Sequence, residues 1–241
     1  MGVPGVWEDF KKKCGLLYLT GDQLTQLLVH KGSPRVQVDL LGSSFVYFRG
    51  GNYKKSWRLV LQKLQPILAA GSKLVIKVDN DQVSSEKALT WIKRRKPLIR
   101  LSNKISKKKK KSKNKRNDRV YQRVLHKRFE KKYFLNKTRI FAARPQGTDQ
   151  VTIIQSRFEA DVDAGINQEF DDWVFSTDSD LFAYEKSTYV LRFKGDGFEL
   201  ASRPKWLLAN GLDSQQGLWL CTLAGNDYAR NIPGRTKTLI H

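Results

Sequence analysis

The sequence has few cysteines and lacks long apolar runs, and both absences exclude classes of protein. Only two cysteines, Cys14 and Cys221, occur among 241 residues, which excludes a disulfide framework and indicates a reducing, intracellular compartment. The sequence contains no run of about 18 apolar residues, so a membrane-spanning helix is excluded. The N-terminus lacks a basic segment followed by an apolar one, so we expect no signal peptide.

Motifs of several common enzyme classes are also missing. The three histidines, His30, His126 and His241, are scattered along the chain. The sequence has no P-loop, no Gly-x-Gly-x-x-Gly, no Gly-x-Ser-x-Gly and no paired-cysteine metal motif, so nucleotide-binding loops, serine hydrolases and zinc sites are not indicated. The six tryptophans are more typical of a core than of a base-stacking surface. We therefore expect no small-molecule cofactor.

Positive charge is abundant but confined to one segment. The chain has 45 Lys and Arg against 23 Asp and Glu, for a net charge of +22. Residues 93–139 hold 22 of those cations and only two acids, Asp118 and Glu130, which leaves 23 basic and 21 acidic residues elsewhere. A nearly neutral body thus carries one basic insert, which indicates a polyanionic partner, nucleic acid above all. For residues 107–116 alone, a solvated tail or a nuclear-import signal is the alternative.

Hydrophobic patterning indicates an α/β domain. Apolar runs predict strands at 36–40, 73–79, 151–154, 173–176 and 189–193. Helical spacing predicts helices at 43–48, 53–68, 84–92, 118–135 and 157–168. Because strands alternate with helices, we expect a mostly parallel central sheet.

Carboxylates follow the ends of these strands. Asp39, Asp79, Asp178 and Asp180 lie at or just beyond the ends of apolar runs, and others begin a helix or occupy a turn: Glu159, Asp161, Asp163 and Asp227. The carboxyl ends of parallel strands meet at one sheet edge, where so many acids repel one another unless a cation joins them. Oxygen ligands without histidine or cysteine favour Mg²⁺ or Mn²⁺. Each aspartate alone fits a helix cap or a turn equally well.

Five motifs in order support a resemblance to a known family. They are MGVPGVW at 1–7, Val-Asp at 38–39 and 78–79, FEADVDA at 158–164, STDSDL at 176–181, and LAGNDY at 223–228 followed by IPG at 232–234. In order and spacing the chain resembles the flap endonuclease/XPG family of structure-specific nucleases, a branch of the PIN-like superfamily. The resemblance implies a three-layer fold, with helices on both faces of the sheet and a basic helical arch.

The resemblance also implies the roles of particular residues. Two Mg²⁺ (or Mn²⁺) ions are expected on seven acids: Asp39, Asp79, Glu159, Asp161, Asp178, Asp180 and Asp227. Asp163 has no counterpart in the family pattern and is expected to be a bystander. The basic insert corresponds to the arch, where Lys93 and Arg94 are the favoured catalytic cations. Further contacts with nucleic acid are expected by resemblance from Gly2, Lys87 and Arg95. The cationic face of the amphipathic helix predicted at 118–135 adds Arg123, Lys127, Arg128 and Lys131.

The resemblance implies that the chain hydrolyses branched or single-strand-bearing DNA by a Mg²⁺-dependent, two-metal mechanism, as in DNA repair. We expect a monomer that is located in the nucleus if the source is eukaryotic. Residues 1–92 and 140–241 are expected to form two halves of the nuclease core, with residues 93–139 as the arch. The last residues begin a helix-two-turn-helix unit that the sequence does not complete. Two alternatives stay open: a PIN-like endoribonuclease acting on RNA, and a non-catalytic nucleic-acid-binding module.

The insert makes a testable prediction about salt. If its cations neutralise about six phosphates, affinity for nucleic acid falls on the order of 10³-fold between 50 and 200 mM salt, because the bound counterions are released on binding. Fluorescence anisotropy of a labelled DNA at several NaCl concentrations measures this slope. A flat salt response would reject the insert as the binding surface.

Overall fold

A seven-stranded sheet forms the centre of the chain. The computed structural model describes residues 3, 5–80, 135–157, 159–169 and 171–223. The strands are β1 (Leu17–Leu19), β2 (Val36–Asp39), β3 (Leu74–Val78), β4 (Val151–Gln155), β5 (Trp173–Phe175), β6 (Tyr189–Lys194) and β7 (Gly197–Ser202). They lie in the order β1-β7-β6-β5-β2-β3-β4. The five strands from β6 to β4 are parallel, and β7 and β1 add an antiparallel edge.

Helices cover both faces of this sheet. They are α1 (Val6–Asp9), α2 (Gly21–His30), α3 (Leu40–Phe48), α4 (Tyr53–Lys63), α5 (Gln65–Ala69), α6 (Lys137–Ala142), α7 (Ala160–Ile166), α8 (Arg203–Ala209) and α9 (Ser214–Leu223). A π-helical turn at Phe10–Cys14 continues α1, and a 3₁₀ helix spans Ser179–Ala183. The α/β, three-layer fold predicted from the sequence is confirmed.

Two apolar clusters hold the layers together, one on each face of the sheet. On one face Trp57 of α4 and Ile140 of α6 pack with the side chains of Val38 and Phe175. On the other, Val174 packs with Trp206 and Cys221, among others. Trp57, Trp173 and Trp206 are all at most 3% exposed, as expected of core tryptophans, whereas Trp219 is 59% exposed. Both cysteines are free thiols.

Some predicted elements have different bounds in the structure. The helix expected at 53–68 is two helices, because α4 ends at Lys63 and Pro66 lies in the first turn of α5, where a residue without an N–H is tolerated. The helix expected from 157 begins only at Ala160. The apolar stretch at 218–223 is the end of α9.

The sequence patterns missed several elements of the antiparallel edge. Strands β1 and β7 were not predicted, because β1 has only three residues and the apolar residues of β7 are interrupted by Glu199. The Gly-Asp-Gly sequence at 195–197 is a typical signal of a β-hairpin. In the structure it forms the β6–β7 turn, where Gly195 adopts a φ of 57°. The helices expected at 84–92 and 118–135, and nearly all of the insert, lie outside the described residues. Within the described ranges, the structure holds no helix long and apolar enough to cross a bilayer.

Candidate active site

The sheet changes direction of winding between β2 and β5, and acidic residues follow the strands at that point. From β2 the chain adds β3 and β4 on one side, then returns to place β5 on the other side of β2. Asp39 ends β2, and Asp79 follows β3 directly. The carboxyl ends of strands at such a switch point are where α/β proteins bind ligands. The fold therefore places Asp39 and Asp79 at one edge of the sheet, which we call the acidic edge.

Asp39 is the most buried of these acids, and backbone geometry fixes its carboxylate. Its side chain is 4% exposed, and its two oxygens accept from the Gly42 N–H at 2.9 Å and from the Ser176 hydroxyl at 2.8 Å. A Cβ on residue 42 would lie 1.8 Å from Oδ2 of Asp39, so only glycine fits there. The cap and the hydroxyl together hold this carboxylate at the end of β2.

The electrostatics of Asp39 show which acids lie near it. Burial raises the pKa of the Asp39 carboxyl well above its usual range, and the charges of Asp79 and Asp161 raise it further. The hydrogen bonds from Gly42 and Ser176 act in the opposite direction. Asp161 itself is 9% exposed. Strand ends β2 and β3 and helix α7 thus contribute three mutually repelling carboxylates to one cluster.

Asp79 connects the cluster to two further elements. Its Oδ1 accepts from the N–H of Ala160 at 2.8 Å, which fixes the start of α7 beside the predicted ligand Glu159. Its Oδ2 lies 3.2 Å from Nζ of Lys137, and the same ammonium donates to the Asn80 carbonyl at 3.0 Å. Sequence reasoning included Lys137 only as one cation of the insert. No pattern in the sequence signals its pairing with Asp79.

The segment after β5 carries Asp178 and Asp180 and is joined to the Asp39 site by a hydrogen-bond relay. The N–H of Asp178 donates to the Ser176 hydroxyl at 3.1 Å, and that hydroxyl donates to Asp39. Oδ1 of Asp178 accepts from the N–H of Asp180 at 3.2 Å. The two aspartates therefore occupy a preorganised turn rather than a loose loop.

The N-terminal segment clamps this turn from outside. Nε1 of Trp7 donates to the Thr177 carbonyl at 3.1 Å, and the Ser179 hydroxyl donates to the Val3 carbonyl at 3.0 Å. Trp7 in turn lies under the guanidinium of Arg192 at 3.8 Å. These contacts give the opening sequence motif a physical role, since it positions the Asp-x-Asp turn.

Lys77 is a buried lysine that sequence reasoning missed. It is 2% exposed, and β3 pairs it with Asp39 on β2. Its Nζ donates to the Asp163 carbonyl at 2.6 Å. Burial lowers the pKa of the Lys77 ammonium, while the Asp163 charge raises it. Lys77 thereby holds α7, the helix that carries Asp161, against the sheet.

The donor set suits a hard divalent cation. The acids that surround Asp39 offer carboxylate oxygens, the ligand type of Mg²⁺ and Mn²⁺. Among the described residues, no three acidic, histidine or cysteine side chains converge closely enough to hold an ion as they stand. Asp39 is engaged by Gly42 and Ser176, and Asp79 by Ala160 and Lys137. The carboxylates of Asp79 and Asp161 therefore lie near enough to Asp39 to raise its pKa, but the three side chains do not surround one common point.

Other predicted site residues lie outside the described part of the chain. These are Gly2, Lys87, Lys93, Arg94, Arg95, Arg123, Lys127, Arg128, Lys131 and Asp227. Their roles stay predictions, as does the ligand role of Glu159, Asp178 and Asp180.

Solved structures with this architecture include two proteins in complex with DNA. The chain is similar to the catalytic core of Rad2 in complex with a DNA substrate, with a TM-score of 0.58 and 18% identity over 99% of this chain and 66% of that one. It is similar to human GEN1 in complex with Holliday junction DNA, with a TM-score of 0.56 and 16% identity over 99% of this chain and 54% of that one. No protein-family model and no curated protein matches the sequence.

These likenesses define the fold. The chain has the flap endonuclease/XPG-like fold that its motifs predicted. It spans between 54% and 66% of the length of these two chains.

The repulsion at Asp39 predicts an effect on stability. With EDTA present at pH 7, we expect Asp39→Asn to raise the free energy of unfolding by about 1–2 kcal/mol. A neutral amide escapes the burial and repulsion that raise the Asp39 pKa, and its oxygen can still accept from Gly42. Urea unfolding followed by circular dichroism measures the change.

The gain depends on pH in a definite direction. Because the folded-state pKa of Asp39 is raised, the folded protein takes up this proton as the pH falls below that raised value. The gain should thus shrink with falling pH and vanish by about pH 4, the usual carboxyl value. Asp196→Asn, in the exposed β6–β7 turn, is the matched control. Destabilisation by Asp39→Asn at pH 7 would contradict net repulsion at this site.

Proposed function

We propose that this chain is a metal-dependent, structure-specific nuclease that hydrolyses phosphodiester bonds of branched or single-strand-bearing DNA. The observation that carries the proposal is that Asp79 and Asp161, from two other elements, lie near enough to the buried Asp39 for their charges to raise its pKa. The fold it shares with the DNA-bound Rad2 core and with GEN1 bound to Holliday junction DNA supports it. A merely structural carboxylate does not need to be buried beside two others.

The proposed metal ligands are the seven acids named from the sequence: Asp39, Asp79, Glu159, Asp161, Asp178, Asp180 and Asp227. Two bound Mg²⁺ or Mn²⁺ ions would supply an activated water and stabilise the leaving oxygen. The protein's own contribution is preorganisation. Gly42 and Ser176 orient Asp39, Asp79 fixes the start of α7, and the Ser176 hydroxyl links both sides of the switch point.

Cations would bring the scissile phosphate to this acidic edge. Lys93 and Arg94 of the insert are the proposed catalytic cations, with Gly2, Lys87, Arg95 and the cationic residues of 118–135 as further DNA contacts. Lys137 is described at the edge itself, beside Asp79. An ammonium next to the acids can exchange a carboxylate partner for a phosphate oxygen, since both are anionic oxygen acceptors.

We further propose that residues 1–92 and 140–241 form the two halves of the nuclease core, with the arch at 93–139. The protein would act as an intracellular monomer in DNA repair, and in the nucleus if it is eukaryotic. An endoribonuclease with the same acids is distinguished by comparing cleavage of matched DNA and RNA flaps. A non-catalytic module is distinguished by the absence of Mn²⁺ binding in calorimetry of the folded protein.

Removal of one proposed ligand should abolish cleavage. We expect Asp178→Ala or Asp180→Ala to reduce the cleavage rate on the order of 10³-fold or more, a barrier increase of about 4 kcal/mol. DNA binding should persist, because these substitutions remove proposed metal ligands and leave the cationic surface unchanged. The assay is a panel of flap, bubble, Holliday and hairpin substrates with Mg²⁺ and with EDTA.

Asp196→Ala, in an exposed turn, serves as the control for this comparison. Mg²⁺-dependent cleavage at the normal rate in both ligand variants would reject the active-site assignment.

Lys77 offers a test of positioning. We expect Lys77→Met to weaken Mn²⁺ binding about tenfold, because α7 loses the hydrogen bond that holds the Asp163 carbonyl. Isothermal titration calorimetry measures this without any cleavage assay. Lys73→Met removes the same charge from an exposed residue just before β3 and should leave the affinity intact. Equal Mn²⁺ affinity of Lys77→Met and the unaltered protein would refute the positioning role.

A further inference from the structure

A groove between α4 and the segment that follows α6 collects positive charge away from the acidic edge. It has a volume of about 360 Å³ and is lined by Lys54, Trp57, Arg58, Leu61, Ala143, Arg144 and Pro145. Three of these seven residues are cations, and none is an acid. An uncompensated concentration of like charge on an otherwise nearly neutral body favours the binding of an anion.

The three cationic side chains of the groove are placed by the structure around them. Lys54 and Arg58 are four residues apart on α4, so they share one face of that helix. The guanidinium of Arg144 lies 3.8 Å from the centroid of the Phe141 ring and donates to the Phe141 carbonyl at 3.1 Å. Within the described part of the chain, none of the three cations forms an ion pair. Their charges are therefore available to a ligand.

Helix α6 connects the groove to the acidic edge, because Lys137 begins it and the groove residues 143–145 follow its end. Trp57 is 1% exposed, and its Nε1 donates to the Ile140 carbonyl at 2.9 Å, which locks α4 to α6. Lys137, the first residue of α6, contacts Asp79. The six residues of α6 span roughly 9 Å at about 1.5 Å per residue. A nucleic-acid strand covers that distance in about three nucleotides at roughly 3.4 Å each.

We propose that this groove binds the backbone phosphates of the DNA strand that passes the acidic edge. Guanidinium groups bind phosphate oxygens in pairs, and lysine adds a point charge, so Arg58, Arg144 and Lys54 suit consecutive phosphates. The inference rests on the proposed function for its ligand. It assigns to the described body a share of the DNA binding that charge alone assigns to the insert.

The test measures binding and cleavage separately. In EDTA, a fluorescent flap DNA is titrated with the double variant Arg58→Gln/Arg144→Gln at several NaCl concentrations. We expect the Kd at about 100 mM salt to rise about tenfold and the slope of log Kd against log salt to fall by about 2, one unit for each lost phosphate contact. In Mg²⁺, KM should rise by the same factor as Kd.

A matched variant has the same change of charge at the opposite edge of the sheet. Lys31 and Lys205 line a separate groove beside Trp173 and Tyr189, at the strand ends away from the acids. Lys31→Gln/Lys205→Gln should leave Kd and salt slope as they are. Thermal unfolding of both double variants establishes that each is folded.

The outcomes separate this inference from the proposed function. An unchanged Kd and salt slope in folded Arg58→Gln/Arg144→Gln overturns the groove, even if the protein cleaves DNA. Groove-dependent binding in a protein that cleaves none of the substrates supports the groove and overturns the nuclease assignment. An equal loss of affinity in both double variants means that net charge alone matters, and it also overturns the groove.

Discussion

The burial of the Asp39 carboxylate beside two other acids is the constraint around which this structure is organised. Burial and the charges of Asp79 and Asp161 all oppose its ionisation. The fold compensates with the N–H of Gly42 and the hydroxyl of Ser176. Such an arrangement lowers stability, and proteins retain costs of this kind chiefly at functional sites. This repulsion is the feature of the structure that supports the proposed metal site.

A second polar network, at the opposite ends of the central strands, keeps the frame rigid. Asp172 accepts from Arg35 through two nitrogens, from Gln37 at 2.8 Å and from the N–H of Glu169 at 3.1 Å. It joins the starts of β2 and β5, the two strands that flank the switch point. Strand β2 is thus held at its start by Asp172 and capped at its end by Asp39.

Sequence reasoning located the acidic edge because strand ends and aspartates are both local features. Val36–Asp39 ends at an acid, and Leu74–Val78 is followed directly by Asp79. Because the two strands are parallel, both acids lie at the same end of the sheet. Lys77 could not be foreseen in the same way, because a lysine within a strand normally marks a solvent-facing position. Its burial depends on the Asp163 carbonyl of a helix 86 residues away. The same is true of the pairing of Lys137, the groove at Arg144 and the antiparallel strands β1 and β7, which depend on tertiary contacts that leave no periodic signal.

The distribution of charge on the protein determines how an acidic site of this kind could bind a polyanion. A cluster of carboxylates repels phosphate as strongly as it attracts metal ions, so the edge needs cations near it that do not simply neutralise the acids. Lys137 is already paired with Asp79, whereas Lys54, Arg58 and Arg144 lie on a separate groove without acidic neighbours. Under the proposed function, this separation would let one small body present negative charge to metal ions and positive charge to a DNA strand. The basic insert extends the same principle along the chain, because its charge enters between the Asp79 and Glu159 segments and leaves both acidic strand ends intact.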